Sequence, residues 1–441
     1  MLTRACLILA LLAAMHAWSQ VAPAATGGTP VDETQMQIPP PISGEPLPTV
    51  TGSEVRSNYL DPGLTLETAY YDNLLPGYGA HPSSDMAYSV NPNIELDKMT
   101  SRLHQTWKYE SNFTLYQHTS ARNLVDQNAS LHLLYRLSQH MSISGRDTFV
   151  KGSNIFNQPS LGVSVSGSTT SSPADVIAPY ADLLSNQANA QLSYQFSANS
   201  MIGAGGTTAL HNYPNQAQSP DLANSDMRGG SAFYNRLLSS TQYIGAIYQY
   251  SNEVDTLSRT ESDTKVDTFS FFYTAHLMHA LTLSVTAGPE RYNVAMSPLP
   301  PFASWTPSVT GSIAWQRDRT NFAASYSRTV AGGGGLLGAF STNTANGSAR
   351  WQLARTWTVE ATVNYLIRKN VSLFSLLSYP GGYSVSGTAK IEHSLSEHFR
   401  VSLEYQRVHQ SYSYISSISS DPDSDRGSIS ISYQFARPLG R

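Results

Sequence analysis

Residues 357–365 read Trp357-Thr358-Val359-Glu360-Ala361-Thr362-Val363-Asn364-Tyr365. The odd positions are apolar or aromatic; the even ones are polar or charged. Successive side chains of a β-strand point to opposite faces, so as a strand this stretch has one apolar and one polar face. A helix brings residues three and four apart together and would mix the two sets. The pattern recurs. At 383–392 Tyr383, Val385, Gly387, Ala389 and Ile391 alternate with Ser384, Ser386, Thr388, Lys390 and Glu392. At 399–406 Phe399, Val401, Leu403 and Tyr405 oppose Arg400, Ser402, Glu404 and Gln406. Near the end Ile429, Ile431, Tyr433 and Phe435 alternate with Ser428, Ser430, Ser432 and Gln434.

Working outward, the same periodicity predicts strands at 64–72, 84–96, 103–117, 128–138, 140–150, 188–197, 199–209, 230–238 and 241–251. It continues at 265–275, 280–291, 307–317, 319–329, 347–355, 356–368, 383–393, 397–410 and 426–436. That makes eighteen; without the first two, where the pattern is weakest, sixteen. The connections alternate in length. Short ones fall at 97–102, 138–140, 197–199, 238–241, 276–279, 317–319, 355–356 and 393–397. Long ones carry the chain breakers: GSTTSSPAD within 151–187, AGGGGLLG at 331–338, YPGG at 379–382 and SDPDSD at 420–425. Tight turns on one side and long loops on the other characterise transmembrane barrels. The expected fold class is all-β: a transmembrane antiparallel up-and-down β-barrel of about 18 strands, with 16 as the alternative. An even count places both termini on the periplasmic side.

Composition agrees. The chain has 25 Tyr, 14 Phe and 6 Trp but only 13% charged residues, about half of what soluble domains carry. After the N-terminal region no run of 18 apolar residues appears, so no membrane-spanning helix is expected in the mature chain. A net charge of −4 without a basic block gives no reason to expect nucleic acid as a partner. Arg4, the apolar run 5–15 and Ala17-Trp18-Ser19 have the layout of a secretory signal peptide cleaved before Gln20. Residues 1–19 are therefore read as signal peptide and 20–62 as a flexible Pro-rich periplasmic segment. The barrel is expected over 63–436, with a short tail at 437–441. Cys6 is the only cysteine, so the mature chain has neither a disulfide nor a cysteine metal site. Aromatics at Trp107, Tyr109, Phe113, Tyr116, Phe269, Phe271, Tyr273, Trp351, Trp357, Tyr433 and Phe435 are expected to form outward girdles at headgroup level.

No GxSxG elbow, HExxH, P-loop or dinucleotide fingerprint occurs, so no enzyme activity and no cofactor is expected. The glycine run at 331–338 lacks a following Lys-Ser/Thr and reads as a flexible outer loop. His276 and His279 would face opposite sides of a strand and read as turn histidines rather than a metal pair. The lumen-facing charges are the candidate functional residues. Parity points Lys108, Glu110, Arg136, Arg146, Glu290, Glu360, Lys390, Glu392, Arg400 and Glu404 inward, because a charge facing lipid is costly. They either set the selectivity of a pore, or Lys390 with Glu392 and Arg400 with Glu404 form ion ladders that stiffen the wall. The 151–187 loop, with Asp175 and Asp182, is either a constriction or a mobile external loop.

The signal-like N-terminus, the long-short loops and the closing Tyr433/Phe435 strand give a chain that resembles Gram-negative outer-membrane β-barrels. More narrowly, it resembles the beta-barrel porin type, known by architecture rather than substrate. The resemblance covers about 63–436 and rests on pattern rather than a sharp motif. It implies outer-membrane lipid, lipopolysaccharide and the barrel-insertion machinery as partners, and passage of small hydrophilic solutes. Such barrels usually end on an aromatic residue; here Phe435 lies six residues inside the terminus. A structural or surface-binding barrel with a closed lumen and an outer-membrane component of polysaccharide export are the competing expectations.

Overall fold

The computed structural model describes residues 58–74, 84–119, 123–153, 156, 182–215, 220–258, 260–278, 280–371, 381–412 and 423–439. Strand follows strand: β1 (Tyr59–Tyr71), β2 (Asp85–Met99), β3 (Leu103–Tyr116), β4 (Leu124–Arg136), β5 (Met141–Gly152) and β6 (Leu183–Ser197). Next come β7 (Ser200–Asn212), β8 (Asn224–Ser239), β9 (Gln242–Leu257), β10 (Thr260–Met278), β11 (Leu281–Met296) and β12 (Phe302–Arg317). The wall is completed by β13 (Thr320–Ala331), β14 (Phe340–Gln352), β15 (Trp357–Asn370), β16 (Gly381–Ser394), β17 (Phe399–Tyr412) and β18 (Asp423–Gln434). Each strand pairs antiparallel with its predecessor, and β1 pairs with β18 from Gly63↔Gln434 to Tyr71↔Arg426, so the sheet closes. Closure removes the unpaired edges that a bilayer would not tolerate. The count is eighteen, and no described helix is long and apolar enough to cross a membrane.

The wall starts at Tyr59, four residues before the expected start. A two-residue strand, β19 (Arg437–Pro438), pairs with Tyr59 and Leu60 beyond the end of β18. Several strands run further toward the long-loop side than alternation alone suggested; β8 starts at Asn224 and β18 at Asp423. The reason is that these ends stand above the lipid, where the outward face is also polar and period-2 contrast disappears. Asp423 and Asp425 show this: within the expected loop breaker they are strand residues, paired with Arg407 at 2.9 and 3.8 Å. The segments 1–57 and 154–155, and most of the 151–187 loop including Asp175, lie outside the described residues, as does His279. At the base of that loop Ser153 donates to Asp182 at 2.6 Å.

Parity holds through the wall. Leu64, Leu66, Trp107, Phe113, Phe271, Val363, Leu403 and Ile431 are exposed on the outside, where lipid takes the place of water. Trp107, Tyr109, Phe113, Phe269, Phe271, Trp351, Trp357, Tyr433 and Phe435 all face outward and are exposed. Tyr116 does not. It has the opposite parity to Phe113, turns inward and is buried against Tyr71 at 5.8 Å between ring centroids. Cysteines introduced at 358, 360 and 362 should therefore react with a water-soluble maleimide in the folded barrel. Those at 359, 361 and 363 should resist it until detergent unfolding; equal labelling of both sets would refute the assigned phase.

Candidate functional site

Two constructions occupy the lumen: a belt of charges on one wall and a segment of chain folded across the long-loop end. The belt follows from register. Arg350, Glu360, Lys390 and Glu404 stand directly opposite one another on β14, β15, β16 and β17. The row then continues to Ser428 on β18. Charges of alternating sign thus meet at neighbouring strands, where cross-strand pairs attract. Arg350 pairs with Glu360 at 3.4 Å and Lys390 with Glu392 at 3.2 Å. Arg400 reaches Glu392 at 3.9 Å, so its partner is Glu392 rather than the expected Glu404. Register explains the difference: Arg400 lies opposite Ser394, one inward step from Glu392, whereas Glu404 lies opposite Lys390. Higher on the wall Arg426 pairs with Glu67, donates to Gln406 at 2.8 Å and lies over the Tyr71 ring.

The other predicted residues are placed separately. On β3, Lys108 and Glu110 face the lumen, and Lys108 pairs with Glu95 of β2 at 3.6 Å. Arg146 of β5 stands opposite His132 of β4, and Arg136 lies at the lower end of β4. Parity alone could have identified Glu67, Glu95, Arg350 and Arg426 as inward.

Water reaches part of the belt, where the Glu360 and Arg400 side chains are 37% and 39% exposed inside a closed wall. The separate pair of Lys108 and Glu95 is wetter, at 54% and 44%. Ion pairs this wet contribute only about 0–1 kcal/mol each. Their larger effect is on the potential of the space they line. The wall opposite is different. Met201, Phe233, Ile247 and Phe272, from β7 to β10, pack into an apolar cluster on the inward face. The charged and apolar sides therefore divide the lower lumen.

The second construction overturns an expectation. The glycine run is not a flexible outer loop: Val330 to Phe340 is continuously buried. The pairing of β12 with β13 runs from Arg317↔Thr320 to Val309↔Arg328 and stops, although β12 continues to Phe302. Beyond Arg328 the chain bends into the lumen, and residues 332–339 cross it before β14 begins. Four consecutive glycines allow this. Gly334 and Gly335 have φ of 50° and 97°, and Gly338 has 108°, a region closed to most residues. A Cβ on Gly332 would collide with the Glu253 carboxylate.

Three inward carboxylates hold this plug by its backbone. Glu253 of β9 accepts from Gly332 N at 2.9 Å, Gly334 N at 3.4 Å and Ser225 Oγ at 2.9 Å. Asp255 accepts from Gly333 N at 3.0 Å. Glu290 of β11, predicted as a lumen charge, accepts from Val330 N at 2.7 Å and Thr268 Oγ1 at 3.2 Å. It lies 2% exposed, so it anchors the plug instead of lining water. From the other side Arg368 of β15 donates to Gly333 O at 2.6 Å, and Ala223 N donates to Gly335 O at 2.9 Å. The apolar half of the plug completes the seal. Leu336 packs with Leu183, Tyr213, Leu222, Phe340 and Tyr412, side chains that come from opposite walls. Burial of such a leucine contributes about 1.5–3 kcal/mol.

Every strand of this wall is antiparallel, the sheet is closed, and its outside is apolar while its inside holds ion pairs. The chain is an outer-membrane-type β-barrel. No family model and no curated protein matches its sequence. Among solved structures it is similar to the Pseudomonas aeruginosa protein OccK2 (OpdF), at 11% identity and a TM-score of 0.43, covering 86% of this chain and 98% of that one. The P. aeruginosa protein OpdK, solved with vanillate, gives 9% identity and 0.41 over 86% and 99%. The FrpB iron transporter of Neisseria meningitidis gives 8% and 0.40 over 81% of this chain, which spans 64% of the transporter's length. Among the described residues there is no group of three or more His, Cys, Asp or Glu placed to hold a metal ion. His276 Nδ1 lies 2.9 Å from the Thr282 hydroxyl across its hairpin.

Proposed function

We propose that the barrel is a porin-like channel of the outer membrane for small hydrophilic solutes. The path runs beside the plug, along the charged wall of β14–β18 and β1–β3. The observation that supports this is the water exposure of inward ion pairs within a wall that has no edge. Eighteen strands enclose more room than side chains alone fill. The belt carries both signs in alternation, so weak selectivity between small cations and anions is expected. Replacing Lys390 and Arg400 together by Glu should shift the reversal potential in a salt gradient toward cation preference; an unchanged potential would exclude the belt from the path.

A second reading, a structural or surface-binding barrel with a closed lumen, has one observation in its favour: the plug is fully buried. Planar-bilayer recording of the refolded protein separates the two. Discrete conductance steps are expected, and bilayers that stay silent at every voltage would leave the closed-barrel reading standing.

A further inference from the structure

Where β13 bends inward, it leaves a mark on the outside of the wall. Above Val309, β12 has no ladder partner on its β13 side among the described residues. Beside this seam lies an outward groove of about 480 Å³ lined by Ala287, Gly288, Pro289, Trp305, Pro307 and Val309, with the backbone between them. Pro289 and Pro307 face each other across β11 and β12. The β10–β11 register has no pair between Thr268↔Glu290 and Phe271↔Ala287, where Pro289 has no N–H to donate. Thr306 and Ser308 also line it; its outward-parity residues are small and apolar apart from Trp305, which stands 65% exposed at one rim.

Two arginines flank the groove. Arg291 is the cross-strand partner of Trp305, and Arg328 is the partner of Val309. Both have outward parity and are exposed. They lie ten and eight residues above the periplasmic ends of their strands, Leu281 and Thr320. With a rise of about 3.4 Å per residue and a tilt near 40°, both sit roughly 20–26 Å up the wall, level with the far edge of the apolar band. Neither forms a close ion pair with a carboxylate among the described residues, although Arg328 lies near enough to Glu290 to interact with it electrostatically. The acid nearest Arg291 in register, Asp267, is taken by the Tyr248 hydroxyl at 2.7 Å.

We propose that this groove is a specific site for one phosphorylated lipid of the outer leaflet. An acyl chain lies in the groove over Ala287, Pro289 and Val309, packed against the Trp305 ring, and headgroup phosphate is bound by Arg291 and Arg328. The groove is continuous with the lipid-facing wall, so a lipid reaches it without leaving the membrane. Guanidinium groups at the headgroup level match phosphate in charge and geometry. The site depends on the membrane-barrel architecture and is independent of whether the lumen conducts.

Native mass spectrometry of the full-length protein in detergent tests it, with a bisphosphorylated glycolipid (lipid A) as probe and its dephosphorylated form as control. One retained equivalent of the phosphorylated probe is expected, with weaker retention of the control. Arg291→Gln/Arg328→Gln should weaken binding of the phosphorylated probe about tenfold or more, as loss of charge-assisted contacts implies, and leave the control unchanged. Ala287→Phe, which changes only the outer wall, should weaken both. Heat-modifiable migration on gels confirms that each variant is folded. Equal retention of both probes by the wild-type barrel, or unchanged retention in both variants, would overturn the proposal. So would dimers that bury the groove, since a second copy would then be its occupant.

Discussion

Excising Gly332–Ala339 and joining Ala331 to Phe340 through an Asn-Gly turn is expected to raise single-channel conductance severalfold. The wall should survive the change. The β13–β14 ladder runs from Thr320↔Trp351 to Ala331↔Phe340 without using the excised residues, and Asn-Gly suits a two-residue hairpin. The segment removed is the one that crosses the long-loop end. It brings Leu336 into contact with side chains from β6 and β17 and occupies the carboxylate acceptors of β9. Without it the upper lumen is limited by Arg368 and by the cluster of Tyr71, Tyr116 and Phe156. A folded deletion variant with wild-type conductance would show that current does not pass the plug.

The second large effect concerns what seats the plug. Glu253→Ala removes the acceptor for Gly332 N–H, Gly334 N–H and the Ser225 hydroxyl at once. A buried donor left without a partner costs about 1–3 kcal/mol, so with three donors the seated state should lose roughly 3–9 kcal/mol in total. The barrel itself should not melt, since its ladders are untouched. The readout is therefore local. With Cys6 replaced, a single cysteine at Leu336→Cys should react slowly with a small thiol reagent in the wild-type background. In Glu253→Ala it should react at least a hundredfold faster, corresponding to about 3 kcal/mol of easier opening. Glu253→Gln keeps an acceptor in place and should lie between the two. Equal rates in all three would mean that the carboxylate does not hold the plug.

These magnitudes separate the two constructions. The belt is wet and its pairs contribute little to stability, so changes there should alter selectivity and leave melting nearly unmoved. The plug is dry, and its polar contacts are few and mutually dependent. Changes there should alter conductance and local opening.

The period-2 alternation at 357–365 fixed more than a strand. Continued around the chain it determined the class of fold, the even count, the lumen side of each candidate charge and the lipid side of most aromatics. It could do so because a closed wall between lipid and water imposes one rule on every residue: odd and even positions meet different solvents. Parity read for both faces would also have found Arg350, Glu67 and Arg426. What sequence could not determine is where the rule stops. Val330 has outward parity and is buried, Glu290 has inward parity and meets no water, and the glycine run at 331–338 carries no side-chain pattern at all. Its position depends on carboxylates 78 to 81 residues away in sequence and on side chains from opposite walls. Those contacts exist only once the sheet has closed. The wall is legible because its constraint is local and repeated; the plug is not, because its constraint comes from the far side of the barrel.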